Sequence, residues 1–135
     1  RLRAAVGRLE RRLNSASLDV GLTPTQMSVL NAIARQGPVG VGDLATAENL
    51  NPTMLSRVVG KLESAGLISR TPDPDDRRVT LVASTPAGRR LKARIQQRRT
   101  AALAELLTLL SPEQDAALAV SLPAREALSA DARRS

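Results

Sequence analysis

Residues 51–84, "NPTMLSRVVGKLESAGLISRTPDPDDRRVTLVAS", change their hydrophobic period once, and that change decides the fold. The first half is helical. Asn51 is a cap residue, Pro52 suits a first helical position, and Leu55, Val58, Val59 and Leu62 recur on one face until Gly66 ends the run. The second half is extended. "LISRT" (67–71) and "VTLVAS" (79–84) are short and β-rich, which predicts a hairpin closed by the loop "DPDDRRV" (73–79). Within that loop, Asp73, Pro74 and Asp75 read as turn formers, because Asx side chains bond nearby backbone.

Upstream, "TPTQ" (23–26) is a strong helix start. Thr23 can cap, Pro24 fits the first turn and Gln26 completes a capping box. Met27, Leu30 and Ile33 with Ala34 form the expected buried stripe, and Gly37–Pro38 stops the helix. A short helix around Gly42–Glu48 turns Leu44 and Ala45 inward. Earlier still, Leu2, Val6, Leu9 and Leu13 recur at helical spacing over residues 1–14, followed by the loop "SASLDVG". Downstream, Thr85–Pro86 restarts a helix that can run to Leu110. At 1.5 Å per residue it would be roughly 37 Å long, more than a domain of this size can cover alone. "SPEQ" (111–114) caps a last helix, which Pro123 is predicted to kink or end near Leu122.

The fold class is therefore mainly α with a small two- to three-stranded β-wing: a winged helix-turn-helix over residues 23–85, flanked by helical segments at 1–22 and 86–135. In such a unit the second helix enters the major groove of DNA, so its exposed leading residues set sequence preference. These are Asn51, Thr53, Met54, Ser56 and Arg57. Arg57 can contact guanine in bidentate fashion, Asn51, Thr53 and Ser56 can bond bases or phosphates, and Met54 can touch a thymine methyl. Lys61, one turn further, reads as a phosphate contact that adds affinity without sequence information. Arg70 reads as a phosphate contact or a brace for the wing.

Composition agrees and excludes alternatives. Of a formal net charge of +7, residues 51–100 carry the excess, with eleven basic and four acidic side chains against three and five in residues 101–135. A basic middle is the footprint of a nucleic-acid partner. The chain has no Phe, Tyr or Trp, so base stacking on aromatic rings is not available to it. Without Cys or His it lacks thiol chemistry, imidazole or thiolate metal sites and histidine acid–base catalysis. No catalytic constellation is visible, which predicts a non-enzyme with neither metal nor cofactor. No apolar run approaches the roughly 18–20 residues of a membrane span, and no signal-peptide pattern appears, so a soluble cytoplasmic protein is expected. The start at Arg1 rather than Met is that expected of a trimmed chain.

The ordered set "LA" (44–45), "KLESAGLISR" (61–70), "DDRRV" (75–79) and "TPAG" (85–88) resembles the MarR family of bacterial transcriptional regulators over about half the chain. The resemblance implies a homodimer whose first and last two helices interlock, each subunit presenting one winged unit to a pseudo-palindromic operator in the nucleoid. That agrees with the overlong helix. Leu2, Val6, Leu9, Leu91, Ile95, Leu103, Leu106, Leu107, Leu110, Leu118 and Leu122 would need a partner surface. It also implies that Arg78 enters the minor groove with Asp76 bonded to orient it. Physically, a narrow groove attracts a guanidinium, and a neighbouring carboxylate can fix its planar fork. Arg77 is left as a phosphate contact or a solvent-facing strand residue.

The resemblance further implies a repressor released by a small lipophilic or aromatic-acid ligand. The sequence holds no fingerprint for that ligand: Arg11, Arg12 and Arg35 are candidate anion partners by position alone. Two other readings stay open: an architectural protein binding duplex with little sequence preference, and a module of a larger enzyme.

Overall fold

The computed structural model describes residues 1–15 and 20–131. Their order is α1 (Leu2–Ser15), α2 (Pro24–Gln36), β1 (Val39–Gly40), α3 (Val41–Ala47), α4 (Pro52–Ser64), β2 (Ile68–Pro72), β3 (Thr80–Ser84), α5 (Pro86–Leu107) and α6 (Pro112–Asp131). Most of the "SASLDVG" loop lies outside the described residues. Two compact units divide the chain, Arg1–Arg99 and Thr100–Ser135, with the division inside α5.

Side-chain caps set the helix starts in the first unit. Thr23 Oγ1 accepts the Gln26 N–H at 3.2 Å while Gln26 Oε1 accepts the Thr23 N–H at 2.9 Å, the reciprocal box the sequence predicts. Asn51 Oδ1 accepts the Met54 N–H at 2.7 Å and so starts α4. The tight turn between α3 and α4 depends on Asn49, a left-handed residue at φ 50°. Around it the Leu50 N–H reaches the Ala45 carbonyl at 3.0 Å and the Asn49 N–H the Thr46 carbonyl at 3.2 Å. Asparagine adopts that backbone more readily than most residues, because its short polar side chain can bond locally and offset the Cβ clash.

The core lies between α2, α3, α4 and a three-stranded antiparallel sheet in the order β1-β3-β2. From α4 it takes Leu55, Val58, Val59 and Leu62, the stripe expected from the sequence. From α2 it takes Val29, Leu30, Ala32 and Ile33, whereas Met27 and Ala34 are only half-buried. The expected stripe was thus rotated toward the wrong flank, because α2 packs on both α4 and β3 and buries a broader face than one ridge. β1 is too short to show in the sequence; it pairs Val39 with Val82 and Gly40 with Leu81.

One junction joins α4, the sheet and α5. Gly66, at φ 73°, ends α4 in a left-handed turn, with the Leu67 N–H on the Leu62 carbonyl at 3.0 Å and the Gly66 N–H on the Glu63 carbonyl at 2.8 Å. Thr85 returns to this turn: its hydroxyl donates to the Gly66 carbonyl at 2.6 Å and its N–H to the Leu67 carbonyl at 3.0 Å. The same hydroxyl accepts the Gly88 N–H at 3.1 Å, capping α5. Gly88 is required here because a Cβ would overlap the Leu67 carbonyl oxygen. The "TPAG" motif is therefore a joint between helix and sheet.

The last helices differ from expectation in two places. α5 ends at Leu107 rather than Leu110, and α6 continues through Pro123 to Asp131 instead of stopping near Leu122. Pro123 removes one ladder bond, to the Ala119 carbonyl, and both residues lie on exposed surface where water can reach that group. Ser111 and Gln114 form a second capping box at the start of α6, at 3.2 and 3.0 Å.

Gly88→Ala should lower stability by about 1–3 kcal/mol, the usual cost of forcing volume into a packed site. Urea unfolding measures it; an unchanged midpoint would mean that α5 can move off Leu67.

Candidate nucleic-acid interface

Burying the α4 stripe turns its other side outward, because residues at 3.6 per turn cannot all face the core. Thr53, Met54, Ser56, Arg57 and Lys61 are all exposed, as is Asn51 at the cap. Asn51 has one limit that the sequence reading missed. Its carbonyl oxygen holds the helix start, so only its amide N–H2 is free to reach a base or phosphate. Met54 is 48% exposed, so its thioether is open to solvent on that face. Arg57 and Lys61 stand in the wall of an open cleft of about 650 Å3 with Gly60, Ser64, Gln26 and Leu22.

The wing is a turn on a ladder. Pairing runs from Ile68–Ser84 to Pro72–Thr80, leaving residues 73–79 as the loop. The Asp73 N–H bonds the Val79 carbonyl at 2.9 Å and closes it, and Asp73 Oδ1 accepts the Asp75 N–H at 2.8 Å, an Asx turn. A second turn follows, with the Val79 N–H on the Asp76 carbonyl at 2.9 Å. Arg77 and Arg78 are the two corner residues of that turn, so Arg77 is not a strand residue. Both are exposed.

Asp76 holds Arg78 in three ways. Its Oδ1 accepts the backbone N–H and the Nε–H of Arg78, and its Oδ2 accepts from Nη2, each at 3.1 Å. The side-chain pair is bidentate and fixes the guanidinium plane. The Arg78 side chain is nevertheless 91% exposed, so the fork is held while its outer edge stays open to solvent. The same bonds shift both groups. The Arg78 guanidinium, then its backbone N–H, hold the Asp76 carboxyl below its ordinary range, and Asp76 raises Arg78 further.

Arg70 lies elsewhere. Its Nε is 2.8 Å from Glu63 Oε2, linking β2 to the last turn of α4. Of the apolar residues read as needing a partner, Ile95 is buried and Leu91 packs against the core. Leu2, Val6, Leu103 and Leu122 are exposed, while Leu9, Leu106, Leu107, Leu110 and Leu118 are half-buried. Leu109, Val120 and Leu128 are also exposed, at 74%, 83% and 64%, and went unread in the sequence. Leu128 was missed because the helix was expected to stop before it. Arg11, Arg12 and Arg35 are exposed on their helices. Among the described residues no His, Cys, Asp and Glu cluster could hold a metal, and no helix is long and apolar enough to cross a membrane.

A polar, cationic helix face and an arginine-tipped turn, carried on one small core, make this a winged helix-turn-helix protein. Comparison with known proteins narrows the class. The MarR family pattern matches residues 22–80. An uncharacterized HTH-type transcriptional regulator of Mycobacterium bovis is 34% identical over 115 residues, 84% of this chain and 80% of the relative. The chain belongs to the MarR family of transcriptional regulators. Its fold is similar to that of RV1404 from Mycobacterium tuberculosis, with a TM-score of 0.81 at 27% identity over 96% of this chain and 92% of the other. It is also similar to a MarR mutant from E. coli solved in complex with operator DNA, with a TM-score of 0.66 at 24% identity over 90% and 88% of the two chains.

The Asp76 shift predicts a pH dependence with a definite sign. A carboxyl whose folded value is depressed keeps its partner at all pH above the ordinary carboxylate range and loses it only as pH falls through the lowered value. An NMR titration should therefore find Asp76 titrating below the ordinary carboxylate range, and Arg78→Ala should bring it back toward that range. Identical Asp76 curves in both proteins would show that the fork is not formed in solution.

Proposed function

We propose that the chain acts as a homodimer that reads a pseudo-palindromic site on double-stranded DNA and represses transcription until a small ligand releases it. The observation that carries this reading is Arg78, fully displayed yet held in one plane by Asp76. An arginine on a flexible tip would lose much of its gain to ordering; one held in advance loses less. Above the wing's reach, α4 offers Arg57 for a base edge and Lys61 for a phosphate, with Thr53, Ser56 and the Asn51 amide beside them. Arg77, exposed at the turn corner, is the wing's phosphate contact in this reading.

Dimerisation is supported by apolar side chains that remain in solvent on α1, α5 and α6, among them Leu2, Val6, Leu103 and Leu122. Two winged units on one dimer read two half-sites about one helical turn apart, roughly 34 Å. Occupying that stretch of a promoter blocks the polymerase. Release follows if a ligand favours a spacing that no longer fits successive grooves. A small lipophilic or aromatic acid is the ligand class. The operator complex of the E. coli MarR mutant supports duplex DNA as the partner. The activity is regulatory rather than enzymatic, placed in the bacterial cytoplasm.

The test is a salt titration on an inverted repeat upstream of the gene, with random duplex as the competitor. Specific affinity should exceed random by about 10³-fold or more at physiological salt. A ratio near one would contradict sequence-specific regulation and favour an architectural role. On the specific site, Arg57→Ala should relax preference at one base position per half-site, by about 1–3 kcal/mol. Arg78→Ala should weaken binding with the wing still folded. A uniform loss across all sequences would instead make Arg57 a phosphate contact.

A further inference from the structure

An acid sits within the surface offered to DNA. Glu63 is exposed on the last turn of α4, where a free carboxylate would repel phosphate. It is not free: Arg70 Nε lies 2.8 Å from its Oε2. The ladder explains how Arg70 reaches it. Arg70 pairs with Val82, and directly paired residues point to the same face of a sheet. Val82 is fully buried, so Arg70 leaves β2 on the side turned toward the helices. Its guanidinium passes over Gly60, with Nη2 3.8 Å from where a Cβ would stand, so bare helix backbone is its seat.

We propose that Glu63 is a positioning residue: by holding Arg70 across the boundary between α4 and β2, it sets the angle of the wing to the recognition helix. The inference rests on the DNA-binding reading above and extends it to a residue that touches no DNA. β2 has little else to hold it. Ile68 is its one buried residue, and the four that follow are exposed. Apolar packing therefore anchors the root of that strand and leaves its outer part to hydrogen bonds with β3 and to this ion pair. Arg70 also lines a cleft of about 400 Å3 together with Arg78, Asp43 and Thr80, so displacing Arg70 alters the surroundings of the wing-tip arginine. A half-exposed pair adds little to global stability. Its effect is on the angle at which Arg57 and Arg78 meet one duplex.

Glu63→Ala tests this, since alanine keeps the helix and removes the carboxylate. In the free chain, backbone amide exchange at Arg70, Thr71 and across 80–82 should quicken about ten-fold, with α2 unchanged, as expected of a local opening. Unchanged wing exchange would overturn the brace. In binding, the sign is decisive. Losing an acid raises the net charge, so electrostatics alone predicts tighter DNA binding, whereas a lost brace predicts binding about five-fold weaker, the scale of coupling between neighbouring sites. Arg78→Ala should also cost less in the Glu63→Ala background than in the wild type. Tighter binding, or fully additive losses, would overturn the positioning role. If the wild-type chain binds no duplex selectively, the regulator reading fails and this role with it. Selective wild-type binding with a wing indifferent to Glu63→Ala sinks the inference alone.

Discussion

The burial of Leu55, Val58, Val59 and Leu62 on one side of α4 is the constraint on which the rest depends. Three of the four have no exposed surface at all, so the helix cannot roll without opening the core. A fixed roll angle fixes what faces outward. Thr53 and Arg57 stand opposite the stripe, with Lys61 and Ser56 on its flanks. Removing one buried leucine of this kind typically costs about 2–5 kcal/mol, a large part of the stability of a small domain. The outward face of α4 is thus only as well defined as the core beneath it.

The same helix governs the wing through its end. Gly66 turns the chain into β2, and the turn's carbonyls receive Thr85. Gly88 then lets α5 sit against Leu67 without clash. The helix α4, the sheet and α5 meet at one joint a few residues wide. The wing beyond it is lightly anchored, with a seven-residue loop organised by Asp73 and Asp76 rather than by apolar packing. Acids among arginines at a basic surface first look like a conflict of charge. They are better understood as hinges and clamps: Asp73 turns the backbone, Asp76 holds the Arg78 fork, and Glu63 occupies Arg70.

Much of this was legible in the sequence because short-range rules governed it. Caps at Thr23, Asn51 and Ser111 follow from local hydrogen bonding, and the α4 stripe from the helical period. The hairpin between β2 and β3 follows from β-branched runs and a loop rich in Asp and Pro. What was not legible depended on tertiary partners. β1 is two residues long and exists only because β3 offers an edge. The inward face of α2 is set by two neighbours at once, which shifted burial from Met27 and Ala34 to Val29 and Ala32. Pro123 was expected to kink or end the helix, but an exposed helix can lose one bond to water and continue. Arg70 was ambiguous until the register placed it opposite Val82, and Arg77 until the turn placed it at a corner. The loss of Asn51 Oδ1 to its own helix could have been foreseen from its capping role.

The central claim is that a rigidly oriented helix and a clamped arginine, presented twice by a dimer, read one class of DNA sequence. The most direct measurement is selection of bound duplexes from a random pool by the purified full-length chain. The account predicts an enriched inverted repeat whose half-sites are centred about 10 base pairs apart, with A·T-rich steps where the wing falls. Enrichment of a single half-site would contradict the dimer, and a pool that stays random through successive rounds would contradict sequence reading altogether.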